Sequence, residues 1–344
     1  MTVTAEPVPR ESATTRRLLA GGLVSGAVVA VLAATALTAQ EAVPGIAVPG
    51  PLVEYGLPVL RVLLDLAAVA VVGLSLLPKL LGFDDPERTE PVMRRARPMA
   101  VTFAWAWALL ALVVIVFQTA ELTPGRLPTP GMIAEYVGGV GAGQGMLFSA
   151  ACALSAAAVG LLAVRYGEKV PAELRIVVAF FGLLPIPVTG HAVDSVWHDP
   201  IMISMELHVM GSAAWTGGLV AVAALVASDR ALLARVLPAF SRLATLALVV
   251  VGVSGVVNGL ATMALTPGVE LPGALLSGEY GPLLVAKAAC VALLIPLAAH
   301  IRFRLMPHVA RGRATAVAGW AAAELVVMGL AYGVAVALTT ASLS

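Results

Sequence analysis

The sequence predicts an all-α, polytopic integral membrane protein, a helical bundle of about nine transmembrane helices with a cytoplasmic N-terminus. Three observations carry that expectation. Of 344 residues, 60% are hydrophobic and 12% are charged, about half the charged share of a soluble domain, and the mean hydropathy is +0.96. Apolar runs of about 20 residues, the length that crosses a bilayer core, recur along the whole chain. Outside the spans, lysine and arginine, Arg126 excepted, also fall in alternate loops.

The apolar runs fall at about 18–40, 56–82, 99–120, 145–165, 173–190, 201–227, 240–264, 281–301 and 315–340. Residues 1–17 form a polar N-terminal segment, longer than the positive region of a secretion signal, so the first run reads as a retained helix. One set of loops contains Arg10, Arg16 and Arg17, then Lys79, Arg88, Arg94, Arg95 and Arg97, then Arg165, Lys169 and Arg175, then Arg230, Arg235 and Arg242, then Arg302, Arg304, Arg311 and Arg313. The other set contains only Arg126. The positive-inside rule places the first set in the cytoplasm. The external segments 41–55 and 121–144, rich in Pro and Gly, read as ordered turns. The organisation expected is a cytoplasmic segment at 1–17, a membrane bundle of five spans at 18–190 and a second membrane domain of four spans at 191–344.

Several function classes fall away. There is no GxxxxGK[ST] loop for a nucleotide, and the net charge of +1 gives no basis for nucleic-acid binding. Cys152 and Cys290 sit inside apolar runs, so no disulfide framework is expected. No catalytic residue stands out, and the chain is not read as an enzyme.

One stretch departs from the apolar background. TGHAVDSVWHDPIMISMELHVMG, at 189–211, carries three of the five histidines, His191, His198 and His208, with Met202, Met205, Met210 and Glu206. His208 lies about 10 Å deeper than the external surface, at about 1.5 Å of rise per residue. Met202, Met205 and His208 follow at spacings of three, so neighbours share a helix face. Imidazole with thioether suits copper, since thioether sulfur selects Cu(I) and imidazole binds both Cu(I) and Cu(II). Zinc favours His with Cys or carboxylate. The plain readings are core packing for the methionines and a solvated surface position for His198.

Ionisable residues within spans are costly and mark sites by default. Arg61 and Asp65, at i and i+4, read as a self-satisfied pair. Lys287 lies at the depth of Glu206, with Glu324 also in reach, and reads either as a buried ion pair or as a charge relay answering a bound cation. Asn258 and Gln118 read as interhelical hydrogen-bonding residues.

GHA at 190–192 and LHVMGSAAWTGGL at 207–219 resemble the copper resistance protein D family of bacterial inner-membrane proteins. FSRLA at 240–244, VSGVVNG at 253–259, GEYGPLLVAKAACVALL at 278–294 and ELVVMGLAYGVAVALT at 324–339 follow in the order that the resemblance requires. The likeness is good over 190–340 and only general over 1–185. It implies copper transport across the cytoplasmic membrane, generally inward, in copper tolerance or supply. It carries over His191, His208, Trp215, Tyr280, Lys287 and Glu324 as motif members. Longer relatives fuse this half to a cytochrome c oxidase assembly half, so a role in oxidase metallation would need a separate assembly protein as partner.

The reading is therefore a multi-pass copper permease of the bacterial cytoplasmic membrane, embedded in the lipid bilayer and admitting Cu(I) or Cu(II) from outside, with an external copper-binding protein as donor. His191, His198, His208, Met202 and Met205 would capture the metal. Glu206, Trp215, Tyr280, Lys287 and Glu324 would line or gate the path. The alternatives are a non-transporting assembly or sensor subunit and a haem-binding electron-transfer protein with His191 and His208 as axial ligands.

Overall fold

A computed structural model describes residues 13–39, 47–185, 198–266, 269–270, 272–311 and 317–342, and every regular element among them is helical. In order these are α1 (Ala13–Leu37), α2 (Pro51–Leu81), α3 (Pro86–Leu122), α4 (Pro130–Gly139), α5 (Gly141–Tyr166), α6 (Ala172–Phe181), α7 (His198–Leu225), α8 (Arg230–Leu265), α9 (Tyr280–His300), α10 (Met306–Ala310) and α11 (Val317–Leu338). A π-helical turn, Ile301–Leu305, joins α9 to α10. Eight of the described helices are long and apolar enough to cross a membrane, so the chain is a multi-pass membrane protein.

The helix boundaries follow local chemistry. Pro51, Pro86 and Pro130 open α2, α3 and α4 at positions where a missing N–H costs nothing. Asp85, Thr129 and Asp229 cap α3, α4 and α8 by accepting from backbone N–H groups one turn on. Gly82 ends α2 at φ 73°, a left-handed conformation that glycine adopts without penalty.

Helix α2 is the hub. It packs against α3 and α6 on one side and α1, α7 and α11 on the other. Its Val62, Leu66, Leu74 and Leu77 join a core with α1, α7, α8 and α11, while its Leu64, Ala68, Val71 and Val72 join a second core with α3, α5 and α6. Bilayer lipid gives helices no hydrophobic reason to associate, so close backbone packing carries the assembly. A Cβ on Gly73 of α2 would overlap the backbone of Gly217 on α7, and the converse also holds. Helices α1 and α11 meet the same way. Cβ atoms on Gly329 and Gly333 would strike the backbone of α1 at Leu23 and Ala27, and one on Gly26 would strike the Val326 carbonyl.

The fifth expected span, 173–190, departs from expectation. It begins as the ten-residue α6 and breaks into turns over Gly182–Pro185. Residues 186–190 lie outside the described residues. The broken segment nonetheless climbs along α5, reaching Ser149 with Gly182 and Gly145 with Pro185. The reason is proline, which cannot donate to the helix ladder. The carbonyl freed at the break needs a partner in the membrane. Ser149 Oγ supplies it at 3.0 Å to Gly182 O, and Ser149 in turn accepts from Trp107 Nε1 at 3.1 Å.

The arginine-rich end of the bundle is tied together. Arg97 forks onto both carboxylate oxygens of Glu90 at 2.7 and 2.8 Å and reaches Glu168 at 2.8 Å. Arg175 meets the other oxygen of Glu168 at 3.3 Å. Arg235 bridges Asp85 and the Leu81 carbonyl, both at 3.2 Å. Lys79 pairs with Glu173, and that hydrogen bond holds the exposed Glu173 carboxyl below the usual carboxylate range. Elsewhere the pairing expected for Arg61 and Asp65 is not made. Arg61 Nη1 donates instead to Thr339 Oγ1 on α11 at 3.1 Å, and no ion pair with Asp65 forms. Gln118 also departs from expectation, because its buried Oε1 has no hydrogen-bond partner.

Gly73→Leu forces α2 away from α7 and destabilises the protein by at least the ~1–3 kcal/mol of an overpacked core. A thermal unfolding midpoint in detergent equal to that of the wild type would contradict the close-approach account. Arg97→Ala removes the buried cation between Glu90 and Glu168, which are themselves 44% and 37% exposed, and costs about 1 kcal/mol; the same melt measures it.

Candidate metal site

Helix α7 carries the stretch that stood out in the sequence. Its face from Met205 to Gly211 lies on α8, running antiparallel, so that Gly211 meets Val251 and Ala247 while Met205 meets Asn258. Between them sits His208, 8% exposed. Its Nδ1 lies 3.1 Å from the Val251 carbonyl and 3.1 Å from Ser254 Oγ. The carbonyl can only accept. Ser254 spends its own proton on the Val250 carbonyl at 2.5 Å, so it too accepts from the ring. Both neighbours therefore require the proton on Nδ1. In the neutral imidazole this leaves the Nε2 lone pair free. A ring held by its other N–H on a backbone carbonyl is the arrangement that orients histidine ligands toward metals.

Space for the ring comes from α8. A Cβ on Gly255 would come within 3.2 Å of His208 Cε1. One turn along, Asn258 Nδ2 donates to Met205 Sδ at 3.6 Å, while Asn258 Oδ1 is buried without a partner. Lys287 on α9 is near enough to act electrostatically on His208. The α7–α8 face that carries His208 thus holds an imidazole nitrogen, a thioether sulfur and an amide oxygen, with the Lys287 ammonium acting on the ring from α9.

Two expected pairings are corrected. Lys287 makes no ion pair with Glu206 or Glu324 among the described residues. Glu324, 3% exposed, accepts instead from Trp215 Nε1 at 3.2 Å, a link from α11 to α7 two helical turns along α7 from His208. The matching depths of Lys287 and the two acids do not bring them onto a common face. Glu206 is half-buried, one position from Met205. Tyr280 opens α9, with its backbone N–H donating to Ser342 O at 3.3 Å.

The remaining expected ligands stand as follows. His191 lies outside the described residues. His198 is the first residue of α7 and Met202, half-buried, follows on the first turn. No three His, Cys, Asp or Glu side chains converge on a metal-sized space among the described residues. Cys152 and Cys290 are half-buried free thiols, Cys152 against Gly182 and Cys290 against the larger core. Sequence reading missed Ser254 and the Val251 carbonyl. Ser254, a hydroxyl one turn from Asn258 in an apolar helix, was the available signal. The two glycines of the WTGG motif serve packing, Gly217 against α2 and Gly218 against Phe240.

Comparison with known proteins gives the family of the chain. A family model described as "Copper resistance protein D-like, N-terminal domain" matches residues 52–199, and one described as "Copper resistance protein D" matches residues 234–338. The chain is 31% identical over 168 residues, 44% of its length, to a protein of Pseudomonas syringae pv. tomato named "Copper resistance protein D". That match spans 52% of the relative's length. No solved structure matches. The two family matches cover α2 to the start of α7 and then α8 to the end of α11, and the chain belongs to the copper resistance protein D family.

Proposed function

We propose that this chain admits copper across the bacterial cytoplasmic membrane from the external side, with His208 as the central ligand. The observation that carries the reading is the fixed tautomer of His208. Its Nδ1–H is committed to α8 and its Nε2 lone pair is left inside the bundle. Met205 supplies a soft sulfur one turn away, which favours Cu(I), while imidazole accommodates Cu(II) as well. His191, His198 and Met202 precede this point along the chain and would act as the outer ligands. The membrane copper-resistance assignment of the family supports copper over other soft or borderline ions.

Direction and orientation follow from charge. The Lys/Arg-rich loops face the cytoplasm by the positive-inside rule, which puts the His198 end of α7 outside. Copper would then pass from His208 past Lys287 toward the level of Trp215 and Glu324. An external copper-binding protein would supply the ion, and a separate cytochrome oxidase assembly protein is a candidate recipient. The boundary between the five-span and four-span units is proposed near residue 190.

Lys287 gives the site a release mechanism. An ammonium with no counter-ion among the described residues repels a cation held at His208. Conduction requires binding weak enough to let go. Lys287 therefore limits the residence of copper and does not hold it.

His208→Ala should abolish copper retained by the detergent-purified protein, measured by elemental analysis, while membrane insertion is kept. Ser254→Ala leaves the imidazole in place but loosens its tautomer, and should weaken copper binding by about ten- to a hundredfold. Copper content unchanged in both variants would refute the site. Lys287→Met should raise retained copper yet slow its accumulation in whole cells. A variant that retains less copper would contradict the repulsive role. Wild-type accumulation equal to that of a deletion strain would favour a non-transporting sensor or assembly subunit over a permease.

A further inference from the structure

One polar side chain on the His208 face has no role in the ligand set. Asn258 lies on α8, one helical turn from Ser254, and is 5% exposed. Its Nδ2 donates to Met205 Sδ on α7 at 3.6 Å, and its Oδ1 is buried with no partner. The amide is therefore held on one side only, by the thioether of the neighbouring helix. Sulfur is a weak acceptor. A buried asparagine placed only to join two helices would spend its oxygen as well as its nitrogen. The reverse orientation of the amide would set Oδ1 against the sulfur lone pairs, acceptor against acceptor.

The contacts of α7 with α8 form two adjacent rungs. His208 meets Ser254 and the Val251 carbonyl. Three residues earlier on α7, Met205 meets Asn258, four residues later on α8. The rungs lie one turn apart, about 5 Å along the helices. In the first, α8 acceptors fix the ring and leave Nε2 open. In the second, an α8 donor takes one lone pair of Sδ and leaves the other open. A methionine without such an anchor is the most adaptable of the apolar side chains, with three rotatable bonds. The hydroxyls on either side of Asn258 do not replace it. Ser254 and Thr262 donate to the carbonyls of Val250 and Asn258, one turn back on their own helix, at 2.5 and 2.8 Å.

We propose that Asn258 is a positioning residue that makes Met205 a ligand, and so sets the His208 site for Cu(I) over Cu(II). Imidazole binds both oxidation states, while the soft thioether selects Cu(I). With the sulfur aimed by Asn258, the site offers Cu(I) a nitrogen and a sulfur. With the sulfur loose, it offers an imidazole that does not discriminate. That preference rests on His208 binding copper as proposed above; the anchoring of Met205 by Asn258 does not.

The affinities of the detergent-purified full-length protein for Cu(I), under anaerobic reducing conditions, and for Cu(II) test the role. Met205→Leu and Asn258→Leu should each weaken Cu(I) binding about tenfold, the lower end for loss of a group that orients a ligand, and leave Cu(II) binding unchanged. The double variant should bind Cu(I) no more weakly than Met205→Leu alone, because Asn258 acts through the sulfur. X-ray absorption of the Cu(I)-loaded protein should show sulfur in the wild-type shell that is lost in Asn258→Leu. Asn258→Thr should give the same results and stands in where Asn258→Leu does not fold, since the new hydroxyl turns to the Ser254 carbonyl one turn back. Equal losses for Cu(I) and Cu(II), the mark of a merely structural asparagine, overturn the proposal. So do additive losses in the double variant. A wild type that binds copper through His208 with no sulfur in the shell overturns this proposal alone. A wild type that binds neither ion overturns the copper reading as well.

Discussion

The contact of Gly73 with Gly217 sets the geometry of everything around it. With no side chain on either residue, the α2 and α7 backbones touch near the Lys/Arg-rich half of both helices. That contact fixes the height and rotation of α7 relative to the hub helix. Once α7 is placed, the Met205–His208 face turns to α8, and Ser212, Trp215 and Thr216 turn toward α11. Each of these positions would rotate by about 100° with a one-residue slip along α7. The WTGG motif therefore couples two jobs. Trp215 anchors Glu324, and the glycine two positions on holds the helix at the distance that makes the anchor possible.

A second constraint follows from the solvent. Within a bilayer each backbone and side-chain polar group needs a partner inside the protein. The structure meets this at the broken α6, where Ser149 and Trp107 serve the freed Gly182 carbonyl. It meets it at His208, where backbone and hydroxyl acceptors take the ring N–H. The exceptions are therefore informative. Gln118 Oε1, Asn258 Oδ1 and Tyr332 Oη are buried and unpartnered, Asn258 beside the His208 face of α7.

How much of this was legible depends on the kind of information each feature needs. Span positions need only one-dimensional hydropathy, and eight of the nine expected spans are single helices. The broken fifth was signalled by Pro185 and Pro187 within GLLPIPVTG. The GLVSG and GLAYG stretches, at 22–26 and 329–333, were GxxxG patterns announcing the α1–α11 crossing. Depth along a helix could likewise be counted, which placed His208 inside the membrane. What counting could not supply was azimuth. Lys287 and Glu324 were paired by depth, yet they point to different neighbours. Arg61 and Asp65 had ideal spacing for a pair, and Arg61 still chose Thr339, 278 residues away. Local spacing alone does not fix the partner when a side chain can reach across to a neighbouring helix.

The donors gathered around His208 also bear on what kind of metal protein this is. Imidazole nitrogen, thioether sulfur and amide oxygen are all neutral, and no cluster of three His, Cys, Asp or Glu side chains forms among the described residues. A storage or structural site gains affinity from anionic ligands that neutralise the ion. Here the Lys287 ammonium, of the same sign as the ion, acts on His208 from α9. In the proposed function, soft neutral donors would select copper by type while the ammonium would limit how long it stays. Recognition and release would then fall to different side chains, on α7 with α8 and on α9. Helices α8 and α9 meet only sparsely, so the two functions can change relative position without breaking a packed core. That separation fits the proposed transit of copper better than its retention.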